Sequence, residues 1–237
     1  MEKKEIELNF EEELEQLRSD FESGFKYFII YSGIHKLAFK NESVRSSLNS
    51  SILFWRTCLD SLLSSTFICL GRIFDNESNR NLSKFIKAVE KKVEFCAEKS
   101  SCCREGDKSD EQANALETTV STTYKLTLQD YRSMKKEAKR IRKIYQEHYK
   151  KVRDKIHAHN GMLDPSNSLD LLSKEDEINI RMIFNYLFEL YFDMWMLHKN
   201  DMNPNDQHMS NAFLVETYLS QEIERVLLLV TSACSHE

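Results

Sequence analysis

Residues 10–28 read FEEELEQLRSDFESGFKYF, and the placement of their apolar residues decides the fold class. Phe10, Leu14, Leu17, Phe21, Phe25 and Phe28 recur at steps of three and four, which lays one apolar stripe along an α-helix and leaves the acids to solvent. A half-buried strand would instead alternate at every second residue. The spacing predicts a helix that packs by its stripe.

The same period continues outward from this segment. After Lys40 and Asn41, the latter a good N-cap, it runs through Val44, Leu48, Ile52, Trp55, Leu59, Leu62, Thr66, Cys69, Leu70 and Ile73, predicting one long central helix. Leu82, Phe85, Ile86, Val89 and Val93, following Asn81, predict a third. Residues 98–115 (EKSSCCREGDKSDEQANA) are polar and aperiodic and read as a surface loop. A fourth helix follows Leu128, Tyr131, Met134, Ala138, Ile141, Tyr145, Val152 and Ile156, and should stop at Asn160-Gly161, before Pro165. Ser173 with Asp176 three residues on opens a fifth in capping-box style, carried by Ile180, Ile183, Leu187, Leu190 and Met194. A sixth occupies roughly Met209 to Ser232, with Leu214, Tyr218, Ile223, Val226 and Val230 facing inward. The sum is an all-α antiparallel helical bundle of about six helices, one domain over residues 1–237.

Composition agrees with this reading. Gly and Pro together supply seven of 237 residues, too few for a β-rich or disordered chain, and 41% apolar with 30% charged residues suits a helical core under a solvated surface. Charges break every apolar run short of a bilayer span, and the first seventeen residues lack the apolar stretch of an export signal. The expectation is a cytoplasmic protein without membrane contact. Of six cysteines, Cys58, Cys69 and Cys96 fall in helical apolar patterns, and the adjacent Cys102 and Cys103 have no second pair to complete a zinc site. No metal or cofactor is expected.

The charge is unevenly placed. The chain carries −5, yet Arg132 to Lys155 holds eleven Lys or Arg against three acids, a local +8 that leaves −13 elsewhere. Lys139, Arg140, Lys143, Lys150, Lys151 and Lys155 are the candidate RNA-binding residues, since such a concentration attracts phosphate backbones. Tyr131, Tyr145 and Tyr149 are available for stacking. A solvated face neutralised by an acidic neighbour or a partner subunit would have the same composition.

This basic stretch runs into KKVRDKIHAHNG, which sets Arg153, Asp154, His157 and His159 within seven residues. A guanidinium can grip a scissile phosphate and stabilise its developing charge, while an imidazole with a pKa near 6.5 can move the proton of a ribose hydroxyl. At about 100° per residue His157 shares a face with Arg153, and His159 is turned away unless the helix frays at Asn160-Gly161. The plain alternative is a hydrogen-bonded core His159, or a histidine favoured in a last turn by the helix dipole. A His-x-His metal site is disfavoured, because residues i and i+2 on a helix point apart.

VRDKIHAHNG resembles the signature of HEPN domains, in which Arg, a polar residue and a His four to six residues beyond the Arg form an RNase centre. The RDKxxAH form is similar to the abortive-infection, AbiU-type branch. TCLDSLLSSTFICLGRIFDNESNRNLSKFI, residues 57–86, also resembles that branch, with Arg72, Phe74 and Asp75 in its tag. The resemblance implies a metal-independent endoribonuclease of a phage-defence or toxin–antitoxin type system. It implies a homodimer whose paired signature helices form one cleft, and an antitoxin protein among its partners. By position Arg153 would bind phosphate, His159 transfer protons and Asp154 orient them, with His157 as substitute or helper. A catalytically inactive module that binds RNA or a partner through the same surface is the competing expectation.

Overall fold

The protein is described here from a computed structural model, which covers residues 2–78, 81–102, 127–150, 172–199 and 211–234. Among these residues the chain forms seven α-helices and no strand: α1 (Glu2–Lys40), α2 (Glu42–Ser50), α3 (Ile52–Phe74), α4 (Leu82–Cys102), α5 (Leu128–Ile144), α6 (Lys174–Lys199) and α7 (Asn211–Cys234). A short π-helical turn, Tyr145–Tyr149, prolongs α5. The all-α bundle expected from the periodicity is present.

The opening stripe does what its spacing requires. Phe10, Leu14, Leu17, Phe21, Phe25 and Phe28 are all buried, and α1 packs against α2, α3, α4, α6 and α7. Against α6 the contact is aromatic: Phe21 and Phe25 meet Phe188 edge-on at 4.7 and 5.1 Å between ring centroids, and Phe25 meets Phe184 at 5.4 Å. Each such ring removes enough apolar surface from water to contribute about 1.5–3 kcal/mol, with pair geometry adding about 0.5–1.5.

Two helix starts read from the sequence carry their caps. The Asn41 side chain accepts from the Ser43 and Val44 amides at 3.0 and 3.2 Å, and the Ser173 hydroxyl accepts from the Asp176 amide at 3.1 Å while Asp176 returns to the Ser173 amide.

Four expectations change. The run from Val44 to Ile73 is two helices that break at Ser51, which has φ −131° and ψ 51°, so the described residues hold seven α-helices where six were expected. Ile52, Leu53 and Phe54 are exposed as a result. Helix α4 persists to Cys102, so residues 98–102 of the expected loop are helical, and 103–115 lie outside the described residues. On α7, Tyr218 and Val226 face solvent, while Leu227 is buried and Leu219 and Ile223 pack against the core. Leu128, read as the first seam position of α5, is also exposed.

By length and composition Ile52–Phe74 is the one described helix that could cross a bilayer. Half of that apolar window is buried inside the bundle, and Leu59, Leu63, Phe67, Leu70, Ile73 and Phe74 fill its inner face. Its apolarity therefore follows from packing as a core helix.

Candidate nucleic-acid interface

Helix α5 begins with a reciprocal capping box: the Thr127 hydroxyl accepts from the Asp130 amide at 3.2 Å, and Asp130 accepts from the Thr127 amide at 2.9 Å. Tyr131, Ala138 and Ile141 then anchor one side in the core. This orientation turns Arg132, Lys136, Lys139, Arg140 and Lys143 to solvent, and Lys150 beyond the π turn is exposed as well.

The exposed cations are not equivalent. Arg140 is clamped by Glu137 three residues earlier, its Nε lying 2.9 and 3.0 Å from the two carboxylate oxygens. This hydrogen bond, set against a smaller desolvation effect, lowers the Glu137 carboxyl below its usual range. Lys143 lies 3.6 Å from Glu147. Lys139 makes no ion pair among the described residues. Three of the candidate RNA-binding residues, Lys139, Arg140 and Lys143, thus share one exposed side, but two of them are partly neutralised by acids of their own helix. Lys151 and Lys155 lie outside the described residues, as do the candidate catalytic Arg153, Asp154, His157 and His159.

The tyrosines correct the stacking expectation, while Tyr131 and Tyr145 keep the seam positions that the period gave them. Tyr145 and Tyr149 are fully buried and Tyr131 is 5% exposed, so none offers a face on which a base could stack. Tyr145 instead stacks on Phe74 at 5.0 Å with 23° between ring planes, and Tyr149 on Phe67 at 5.7 Å and 25°. The Tyr149 hydroxyl donates to the Asp176 carbonyl at 3.0 Å. Burial first, then the nearby Asp176 charge, pushes that hydroxyl well above the ordinary tyrosine range. The π turn makes this arrangement natural. The Lys150 amide bonds back to the Tyr145 carbonyl, five residues away, and the wider turn returns Tyr149 to nearly the same face as Tyr145.

These contacts tie residues 57–86, the first segment of the family resemblance, to the stretch that precedes the second, which lies outside the described residues. Phe74 of the Arg72-Ile73-Phe74-Asp75 tag touches the end of the basic helix directly, while Asp75 closes α3 through its amide bond to the Gly71 carbonyl. Arg72 points outward and pairs with the buried Asp20 of α1 at 3.5 Å. The tag is thus a structural seam in which Phe74 positions α5.

With the tag seated against the end of the basic helix, comparison with known families becomes informative. The family model HEPN_AbiU2, described as AbiU2, matches residues 7–213. The chain belongs to the HEPN AbiU2 family. Nothing among curated proteins or solved structures matches it. The AbiU2 match begins in α1 and ends in α7, so it takes in α2 to α6 and the whole basic segment. Abortive infection is accordingly the setting of this HEPN domain.

The structure also reveals a feature that charge counting passed over. Between α4 and α5 lies a cleft of about 180 Å³, bordered by Ser83, Lys87 and Glu90 on one side and Tyr131, Lys139 and Arg142 on the other. Arg142 is half-buried; its Nη1 donates to the Ser83 hydroxyl at 3.1 Å, while its Nε is buried without a partner. The Tyr131 hydroxyl is also buried and lacks a full hydrogen bond, with only weaker contacts to Lys135 and Glu90 beside it. In the sequence, Ser83, Lys87 and Glu90 stand at i, i+4 and i+7, the signal of one helical face.

Proposed function

We propose that this AbiU2 protein is a metal-independent endoribonuclease of a phage-defence or toxin–antitoxin type system. The observation that carries the reading is the basic side of α5, whose exposed cations lead in sequence straight into the Arg153 to His159 signature. A positive helix draws the RNA backbone by charge, and the signature supplies the two groups that cleavage needs.

In this mechanism the Arg153 guanidinium holds the scissile phosphate and stabilises charge on its non-bridging oxygens. His159 takes the proton of the adjacent ribose 2′-hydroxyl, whose oxygen attacks phosphorus as the bond to the 5′-oxygen breaks. The departing 5′-oxygen takes up a proton, leaving a 2′,3′-cyclic phosphate and a 5′-hydroxyl. Asp154 orients the pair, and His157 assists or substitutes. One Arg and one His make a sparse site, so two copies related by a two-fold axis would complete it. The protein then works as a cytoplasmic homodimer, restrained by an antitoxin protein.

The test is the chemistry of the product ends. Incubation with RNA should yield 2′,3′-cyclic phosphate termini, and 2′-O-methyl RNA should resist cleavage entirely. Products bearing 3′-hydroxyl ends, or cutting of the methylated strand, would overturn the mechanism; binding without any product would favour the inactive module.

A further inference from the structure

The α4–α5 cleft is a built site. Its floor is apolar, made by Ile86 and Ala138, and its rim carries Lys87, Lys135, Lys139 and Arg142 against one acid, Glu90. Ser83 sits in the first turn of the 21-residue helix α4, where the helix dipole favours an anion, although the Lys84 and Phe85 amides are already taken by Asn81. That feature alone would carry little weight. The second observation is the pair of enclosed donors without full partners, the Tyr131 hydroxyl and the Arg142 Nε. Tyr131 is 5% exposed and borders the cleft, so its hydroxyl is a neutral donor held in a nearly dry place. A buried donor left unsatisfied costs about 1–3 kcal/mol, which an incoming acceptor would recover.

The ligand must therefore be an anion that accepts several hydrogen bonds and carries an apolar body. A carboxylate fits less well, because its two oxygens are fewer than the donors around the cleft, where Glu90 already pairs with Lys135 at 3.6 Å. A phosphoryl group offers three acceptor oxygens to Tyr131, Arg142 and the lysines, with its organic part resting on Ile86 and Ala138. We propose that this cleft is a phosphoryl-binding exosite, filled by a backbone phosphate of an RNA strand lying across α5 or by a small phosphate ester. The phosphoryl site stands on the cleft alone; only the choice of RNA as its source rests on the nuclease reading.

Phenyl phosphate, inorganic phosphate and a labelled 2′-O-methyl RNA 20-mer, which cannot be cut through its 2′-oxygen, separate these cases. Titrated into the full-length protein, phenyl phosphate should bind about tenfold more tightly than inorganic phosphate. Tyr131→Phe and Lys139→Glu should each weaken it several-fold, with Lys26→Glu on α1 as a charge-matched control that leaves it unchanged. Loss of 20-mer affinity in the same two variants identifies the strand as the source. Unchanged 20-mer affinity with weakened phenyl phosphate binding identifies a small ester. The proposal is overturned if phenyl phosphate does not bind, or binds equally to wild type and to both variants. Thermal melting of each variant, expected within a few degrees of wild type, separates lost binding from lost folding.

Discussion

Gly24 shows how closely single side chains decide this bundle. A Cβ added there would sit 2.9 Å from the Cys69 Cβ and 3.2 Å from the Phe184 ring, neither of which can swing aside. Gly33 differs: its added Cβ would meet the Ile223 Cδ1, a methyl that a rotamer change can remove. Gly24→Ala should cost about 1–3 kcal/mol despite better helix propensity, whereas Gly33→Ala should be neutral or stabilising by up to about 1 kcal/mol. Urea denaturation of both variants checks this, and equal losses would contradict it. Tyr149→Phe removes only the hydroxyl that meets the Asp176 carbonyl. It should lower stability by about 1–2 kcal/mol and leave RNA affinity untouched, as a gel-shift titration would reveal. Sequence reading assigned these tyrosines to stacking because they lie among cations. Tyr131 and Tyr145 also stand on the core period, and their burial, with that of Tyr149 at the end of the π turn, shows that the core claims all three.

Between helices, the clip that ties α1, α6 and α7 together is ionic. Arg181 of α6 donates to Glu177 at 3.2 Å, to the Ser32 hydroxyl at 3.2 Å and to Glu216 of α7, and lies over the Phe28 ring. Lys36 of α1 pairs with Glu177 from the other side at 3.1 Å. Burial pushes the Glu177 carboxyl upward, but Lys36 and Arg181 together overcome it and hold it below the ordinary 4.5. A carboxyl lowered on folding contributes stability that is fully present above its unfolded value and lost as pH falls through the folded one. The melting temperature should therefore fall faster below pH 4.5 in wild type than in Glu177→Gln, and parallel curves would refute the assignment. The helices themselves were largely legible. The stripes of α1, α4 and α6 read from the sequence are buried. The break at Ser51 was hidden because the apolar period runs through it uninterrupted. The inner face of α7 was misread because Leu227, Leu228 and Leu229 make its C-terminal half apolar on several sides, so period alone cannot choose Leu227 over Val226.

For the molecule as a whole, α1 is the axle around which the bundle assembles, and α5 is the element that displays charge. Membership of the AbiU2 family was legible from two short segments; Phe67 and Phe74 of the first stack on Tyr149 and Tyr145, while the second lies outside the described residues. The α4–α5 cleft was not legible, since it depends on two helices far apart in sequence coming face to face. The central claim is that Arg153 and His159 cut RNA without a metal. The most direct measurement is the degradation of mixed RNA in excess EDTA by wild type, Arg153→Ala and His159→Ala, each confirmed folded by circular dichroism. Cleavage by wild type, with a loss of about 100-fold or more in each variant, is the expected result. Intact RNA with wild type, or undiminished cutting by both variants, would contradict the account.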